Sequence, residues 1–89
     1  LANLLDDKNP DVRRSAVYAL GALGHHESTP RIISLLKDGN GNVRLASIQA
    51  LSKIKGEEAL KALTTMRDDP STDSSTRQIV EDALEVAGR

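Results

Sequence analysis

The chain has no cysteine, no tryptophan and no phenylalanine, and one tyrosine, Tyr18. Without cysteine there is neither a disulfide framework nor a thiolate metal site. With aromatics nearly absent, the 38% hydrophobic content is almost all Leu, Ile, Val and Ala. Such small aliphatic side chains suit closely packed helices better than a two-sheet sandwich, which usually recruits aromatics. An excess of one charge is also missing, because the 28% of charged residues nearly cancel to a net −1. A nucleic-acid surface normally carries a clear basic excess, so no nucleic-acid partner is expected. No apolar run approaches the roughly 18 residues of a membrane span, and no signal-peptide pattern is present. The expectation is a cytoplasmic protein with no membrane partner. At 89 residues the chain makes one domain near the lower end of what folds alone. It opens on Leu1 rather than Met, inside the apolar pattern Leu1, Leu4, Leu5, and so reads as a piece of something longer.

What is present is an internal repeat. Val12-Arg13 returns 31 positions on as Val43-Arg44, and the same shift takes Leu4-Leu5 to Leu35-Leu36, Asp7 to Asp38 and Ala19-Leu20 to Ala50-Leu51. A third copy follows at Thr76-Arg77 and Ala83-Leu84, where the shift has grown to 33. Two extra residues therefore sit in the polar stretch Pro70-Ser71-Thr72, a turn where insertions are tolerated. Repeats of this length are read first, because they decide the fold.

Each unit reads as two helices. Asn9, Asn40 and Asp73 stand at equivalent places as side-chain caps of the second helix, and Pro10 follows the first of them, where a missing N–H is harmless. Val12, Ala16, Ala19, Leu20 and Leu23 then keep helical spacing, as do Val43, Ser47, Ala50, Leu51 and Ile54. Gly24 and Gly56 read as the stops. The first helix of unit two starts near Thr29-Pro30 and carries Ile32, Ile33, Leu35 and Leu36. That of unit three starts near Glu57 and carries Leu60, Leu63 and Met66, while unit one retains about the last turn of its own. Ala16, Ala19 and Ala50 let helix axes approach, and Leu20 and Leu51 fill the groove between them.

Arg13, Arg44 and Arg77 recur in the first turn of their helices, where a cation opposes the helix dipole. Asp7, Asp38 and Asp69 recur with them. One reading is a ladder of hydrogen-bonded pairs stitching unit to unit; the other is a row that binds an anion or ligand. In the last unit three positions turn polar. Ala2 and Ile33 become Thr64, Leu5 and Leu36 become Arg67, and Val17 and Ile48 become Glu81. That is what a terminal cap requires, so unit three is expected to close the array on its C-terminal side, whereas the N-terminal side carries no such cap.

The run Asn9-Pro10-Asp11-Val12-Arg13-x-x-Ala16-x-x-Ala19-Leu20-Gly21-x-Leu23-Gly24 resembles the short HEAT-like repeat of the phycobilisome lyase type. The likeness covers essentially the whole chain and weakens in unit three, where Thr76 and Val80 replace the expected Val and Ala. It implies an all-α fold, an α-α superhelix. This is a right-handed solenoid of about two and a half HEAT-like units, roughly 1–24, 25–56 and 57–89, with the first truncated. Members of that family are mostly protein-interaction scaffolds; some are chromophore-lyase subunits, and some carry metal or nucleic-acid sites.

Chemistry-bearing motifs are few. His25-His26-Glu27 has metal-ligand chemistry but falls in an inter-unit loop, and adjacent loop histidines rarely converge on one ion. The similar iron-dependent deoxyhypusine hydroxylases place His-Glu straight after the Val-Arg pair. Here those positions are Arg14-Ser15 and Leu45-Ala46, so that site is not reproduced. No serine sits in a nucleophile elbow, and Gly39-Asn40-Gly41 reads as a turn before a capped helix rather than a phosphate loop. No catalytic residue, cofactor or metal is expected. What remains is a surface. The resemblance implies that the second helices line the concave side, and their faces away from the core carry Arg14, Tyr18, Leu45, Gln49, Lys53, Gln78, Asp82 and Glu85. Tyr and Arg are favoured at interface hot spots, and Leu45 is apolar where the register predicts exposure. A protein-binding scaffold is the first reading and an accessory unit of an enzyme such as a bilin lyase the second. An ordinary solvated face is the plain alternative for the stripe.

Overall fold

A computed structural model describes residues 2–88, of Ala2 only the backbone. Leu1 and the side chain of Ala2, both named in the patterns above, lie outside the described residues. After a 3-10 segment at Ala2–Asp6 come α1 (Pro10–Leu23), α2 (Thr29–Ser34), α3 (Gly41–Ile54), α4 (Gly56–Asp68) and α5 (Ser74–Ala87). Short 3-10 turns at His26–Ser28 and Leu35–Lys37 flank α2. Among the described residues all regular structure is helical, with no strand, and they form an all-α solenoid.

The helices begin where local chemistry dictates. The Asn9 side chain accepts the Asp11 N–H at 2.8 Å, Asn40 accepts those of Asn42 and Val43, and Asp73 accepts that of Thr76 at 3.1 Å. Each side-chain oxygen satisfies a backbone donor that the helix cannot. α1 ends in Gly24 at φ 64°, ψ 37°, the left-handed stop the sequence announces. α3 ends differently. Its closing residue is Lys55, 31 positions after Gly24, at φ 63° and ψ −158°, and Gly56, expected as the stop, already opens α4.

α1 packs on α3 and α3 on α5, while α2 and α4 lie along the other side of that row. The core runs down the middle through Val17, Leu20, Ile32, Ile48, Leu51, Leu63 and Val80, each no more than 2% exposed. α1 and α3 come into close contact at Gly21 against Ala50. Sequence spacing assigned that closeness to the alanines alone. Leu23 also departs from expectation: it keeps helical spacing but is 69% exposed, because it lies on the side of α1 away from α3. At the other end of the row, Leu5 and Leu36 are buried whereas their equivalent Arg67 is half-exposed, and Val17 and Ile48 are buried whereas Glu81 is exposed.

Candidate functional site

The recurring arginines are absorbed by the turns that launch the second helices. Asp7, Asp38 and Asp69 each accept, through Oδ1, the N–H two residues on, which folds the turn back on itself. The arginines then bind the carbonyls of these turns. Arg13 Nη1 donates to Asp7 O at 2.7 Å, Arg44 Nη1 to Asp38 O at 2.7 Å, and Arg77 Nη2 to Asp69 O at 3.0 Å. Only Arg13 also forms a carboxylate rung between units, donating from Nε and Nη2 to Asp38 at 2.9 and 3.0 Å. The pair is 17% and 9% exposed. This bond holds the Asp38 carboxyl below its usual pKa against the opposing effect of burial, with help from the Asn40 N–H and the Arg13 and Arg44 charges. The corresponding rung from Arg44 to Asp69 is replaced. Both the N–H and hydroxyl of Ser71 bind Asp69 Oδ1, and Ser71 belongs to the inserted turn. The arginine row is therefore a structural brace with one carboxylate rung between units; apart from the row, an exposed Arg31–Asp6 ion pair also joins units one and two.

The exposed face of α1 and α3 brings four of the expected surface residues together. Arg14, Tyr18, Leu45 and Gln49 line one open depression of about 430 Å³ together with Ser15, Asn42 and Ala46. The i, i+4 spacing within each helix brings them there, since Arg14 and Leu45 share one repeat position and Tyr18 and Gln49 the next. Tyr18 is 61% exposed, and the Lys53 ammonium sits 4.8 Å from its ring centre, a weak cation–π attraction at an exposed site. Leu45, expected to be exposed, is half-buried because the hollow between α1 and α3 takes it in as a floor. Sequence reasoning omitted Ser15 and Asn42, although Asn42 stands one turn before Leu45 on the same stripe.

α5 contributes differently. Gln78 Nε2 donates to Asp82 Oδ1 at 3.1 Å, and Asp82 continues the register of Tyr18 and Gln49. Glu85 continues that of Gly21 and Ser52, which are buried where one helix meets the next. Glu85 therefore belongs to the outer side of α5 and is not brought into the depression.

A second, larger depression of about 630 Å³ lies between α2 and the α4–α5 turn, with Ile33, Leu36 and Met66 among its lining and charges of both signs at its rim. His25 Nδ1 lies 2.7 Å from the hydroxyl of buried Ser28, so the first His of the His-His-Glu run fixes the loop before α2. Among the described residues no three His, Asp or Glu side chains are grouped to hold a metal, and no helix is long and apolar enough to cross a membrane.

Helical hairpins stacked in one row, with an open face along their second helices, define an all-α repeat protein of the solenoid class. The chain belongs to the HEAT repeat family, whose model, described as HEAT repeats, matches residues 1–85. Arrays of this family generally mediate protein–protein interactions. The chain is also 34% identical over 79 residues to an uncharacterized phycocyanin operon protein Z of Pseudanabaena tenuis, an alignment covering 80% of this chain and 39% of that protein. It thus spans about two-fifths of the length of that curated relative, and the likeness agrees with the resemblance to the phycobilisome lyase type of repeat.

Proposed function

We propose that the chain is a non-catalytic scaffold, built of units 1–24, 25–56 and 57–89, that captures a protein partner in the cytoplasm on the face of α1 and α3. Arg14, Tyr18, Leu45, Gln49 and Lys53 make the centre of the contact, and Gln78 and Asp82 extend it along α5. The observation that carries this reading is Tyr18, largely exposed, with Lys53 over its ring and Leu45 beside it in the same depression. An exposed aromatic next to an Arg and a recessed Leu suits an interface anchor, because Tyr offers a large contact area with few rotatable bonds to fix on binding. A photo-crosslinking residue at position 18 is expected to give a discrete adduct in cells, one that Leu45→Asp abolishes with helical circular dichroism unchanged. The same residue at Lys61, on α4, gives no such adduct. Equal labelling from both positions, or an adduct indifferent to Leu45→Asp, would remove this surface from consideration.

The phycocyanin operon origin of the relative supports a second reading, an accessory part of a bilin lyase. Titration with a free bilin separates the two, since an accessory lyase unit that holds pigment changes the bilin absorbance and a plain scaffold does not.

A further inference from the structure

Asn40 caps α3 between two glycines, and its repeat equivalents differ from it in one chemical respect. An asparagine side-chain amide is an acyl group that the backbone nitrogen of the next residue can attack, closing a five-membered ring. In unit one the cap is Asn9, followed by Pro10, which has no N–H to give up. In unit three the cap is Asp73, which has no amide to lose. Asn3 and Asn42 precede Leu4 and Val43, whose side chains crowd the attacking nitrogen. Gly41 has no side chain, is exposed, and rotates freely once released from the helix.

The folded cap opposes this reaction. Ring closure needs the Gly41 nitrogen eclipsed with the Asn40 Cβ about the Cα–C bond, whereas at ψ 126° it is turned to the Hα side. The side chain is pinned as well, its Oδ1 accepting the N–H groups of Asn42 at 2.9 Å and Val43 at 3.2 Å. The Asn40 N–H donates to Asp38 Oδ1 at 2.9 Å, and Gly41 is the first residue of α3. Undoing these contacts opens one helical turn and not the whole domain. The adjacent Asp38-Gly39 pair has the same flexibility, but Arg13 keeps the Asp38 carboxyl ionised, and a carboxylate anion is a poor acyl acceptor.

We propose that Asn40 is a self-modification site, deamidating only from states in which the first turn of α3 has opened. The Gly41 nitrogen bonds to Asn40 Cγ, and the side-chain nitrogen leaves as ammonia, carrying away the proton that Gly41 gives up. Water then opens the succinimide. Cleavage of the new Cγ–N bond gives aspartate on an ordinary backbone, which caps a helix as Asp73 does. Cleavage of the original C–N bond gives isoaspartate, which routes the main chain through the former side chain and removes the cap. Asn42 and Leu45, in the first turns of α3, line the depression beside Tyr18, so the isoaspartyl chain loses part of that face along with the helix start.

The proposal is tested by incubating the 89-residue chain and a synthetic peptide of residues 37–45 in mildly alkaline buffer. Peptide mass spectrometry reads the exchange of NH2 for OH at each asparagine. Asn40 in the folded chain is expected to react at least about tenfold more slowly than in the peptide, with urea below the unfolding transition raising its rate. Gly41→Pro, which copies unit one at the first helical position, is expected to abolish the gain at residue 40 in chain and peptide alike. Asn40→Asp is expected to melt within about 2 °C of the original, and the isoaspartyl form, separated from an aged sample, about 4 °C or more below it. An equal rate in chain and peptide, a rate indifferent to urea, or an earlier gain at Asn3 or Asn42 would overturn the proposal. So would a gain that survives Gly41→Pro, or an isoaspartyl form as stable as Asn40→Asp.

Discussion

Ala50 lies so close to Gly21 that a methyl group built on the glycine would come within 2.8 Å of both the Ala50 Cα and its Cβ. The spacing of α1 and α3 is set by this contact, and with it the width of the hollow that holds Tyr18 and Leu45. In an open helix interior, Gly→Ala gains roughly 0.5–1 kcal/mol. Here the added carbon meets backbone, so Gly21→Ala is expected to destabilise by about 1–3 kcal/mol through overpacking. Adding Ala50→Gly is expected to recover only part of the loss, because the Ala50 Cα stands at the same distance as its Cβ. Urea melts of the two variants check this, and wild-type stability for Gly21→Ala would mean that the helices separate freely.

The Arg13–Asp38 rung has a pH signature. The folded-state pKa of Asp38 lies below its ordinary 3.8, so its contribution is complete above about pH 4 and is lost as pH falls through the lowered folded value. Asp38→Asn is expected to flatten part of the acid limb of a stability–pH profile. At pH 7 it is expected to cost about 1–3 kcal/mol, because the guanidinium loses a charged acceptor in a partly buried position. Asp69 and Asp73, lowered in the same direction by Ser71 and Thr76 respectively, leave a residual slope in the same acid range. An unchanged acid limb in Asp38→Asn would show that Asp38 titrates alike in the folded and unfolded chain and that the rung adds no pH-dependent stability.

How far the sequence could be read follows from how local each cause is. Caps act within three residues, so Asn9, Asn40 and Asp73 announced the starts of α1, α3 and α5. The repeat shift also placed Arg14 with Leu45 and Tyr18 with Gln49 on one face. Effects that need a neighbour were hidden. Periodicity put Leu23 on an apolar stripe but could not say that it stays 69% exposed among the described residues. The repeated spacing of Asp and Arg suggested a ladder of pairs from unit to unit, whereas the two-residue insertion gave Asp69 a partner in Ser71. Gly56 drew attention as a stop because glycine is conspicuous there, although strict register points to Lys55.

Burial separates leucines that the sequence treats alike. Leu51 is fully buried and Leu20 is 2% exposed, while Leu23 is 69% exposed. Leu51→Ala and Leu20→Ala are expected to cost about 2–5 kcal/mol each, the sum of lost transfer energy and a cavity. For a domain holding about 5–10 kcal/mol, that approaches unfolding. Leu23→Ala is expected to stay within about 0.5 kcal/mol. Thermal melts of the three rank them, and comparable losses at Leu20 and Leu23 would contradict the packing of α1 between a covered and an open side.

Lys55 is the non-glycine residue with positive φ among the described residues, and its ψ of −158° places it in a region that glycine alone occupies comfortably. Holding a side chain there costs on the order of 1–3 kcal/mol. The strain persists because Lys55 must both end α3, donating its N–H to Leu51 O at 3.0 Å, and turn the chain at once into α4. Its counterpart Gly24 ends α1 without that penalty and with a longer loop to follow. Lys55→Gly is therefore expected to stabilise the protein by about 1 kcal/mol after the greater flexibility of glycine in the unfolded chain is subtracted. Lys55→Ala, which keeps a Cβ, is expected to gain nothing. Equal Tm shifts for the two variants would trace any change to the lysine charge and not to the backbone.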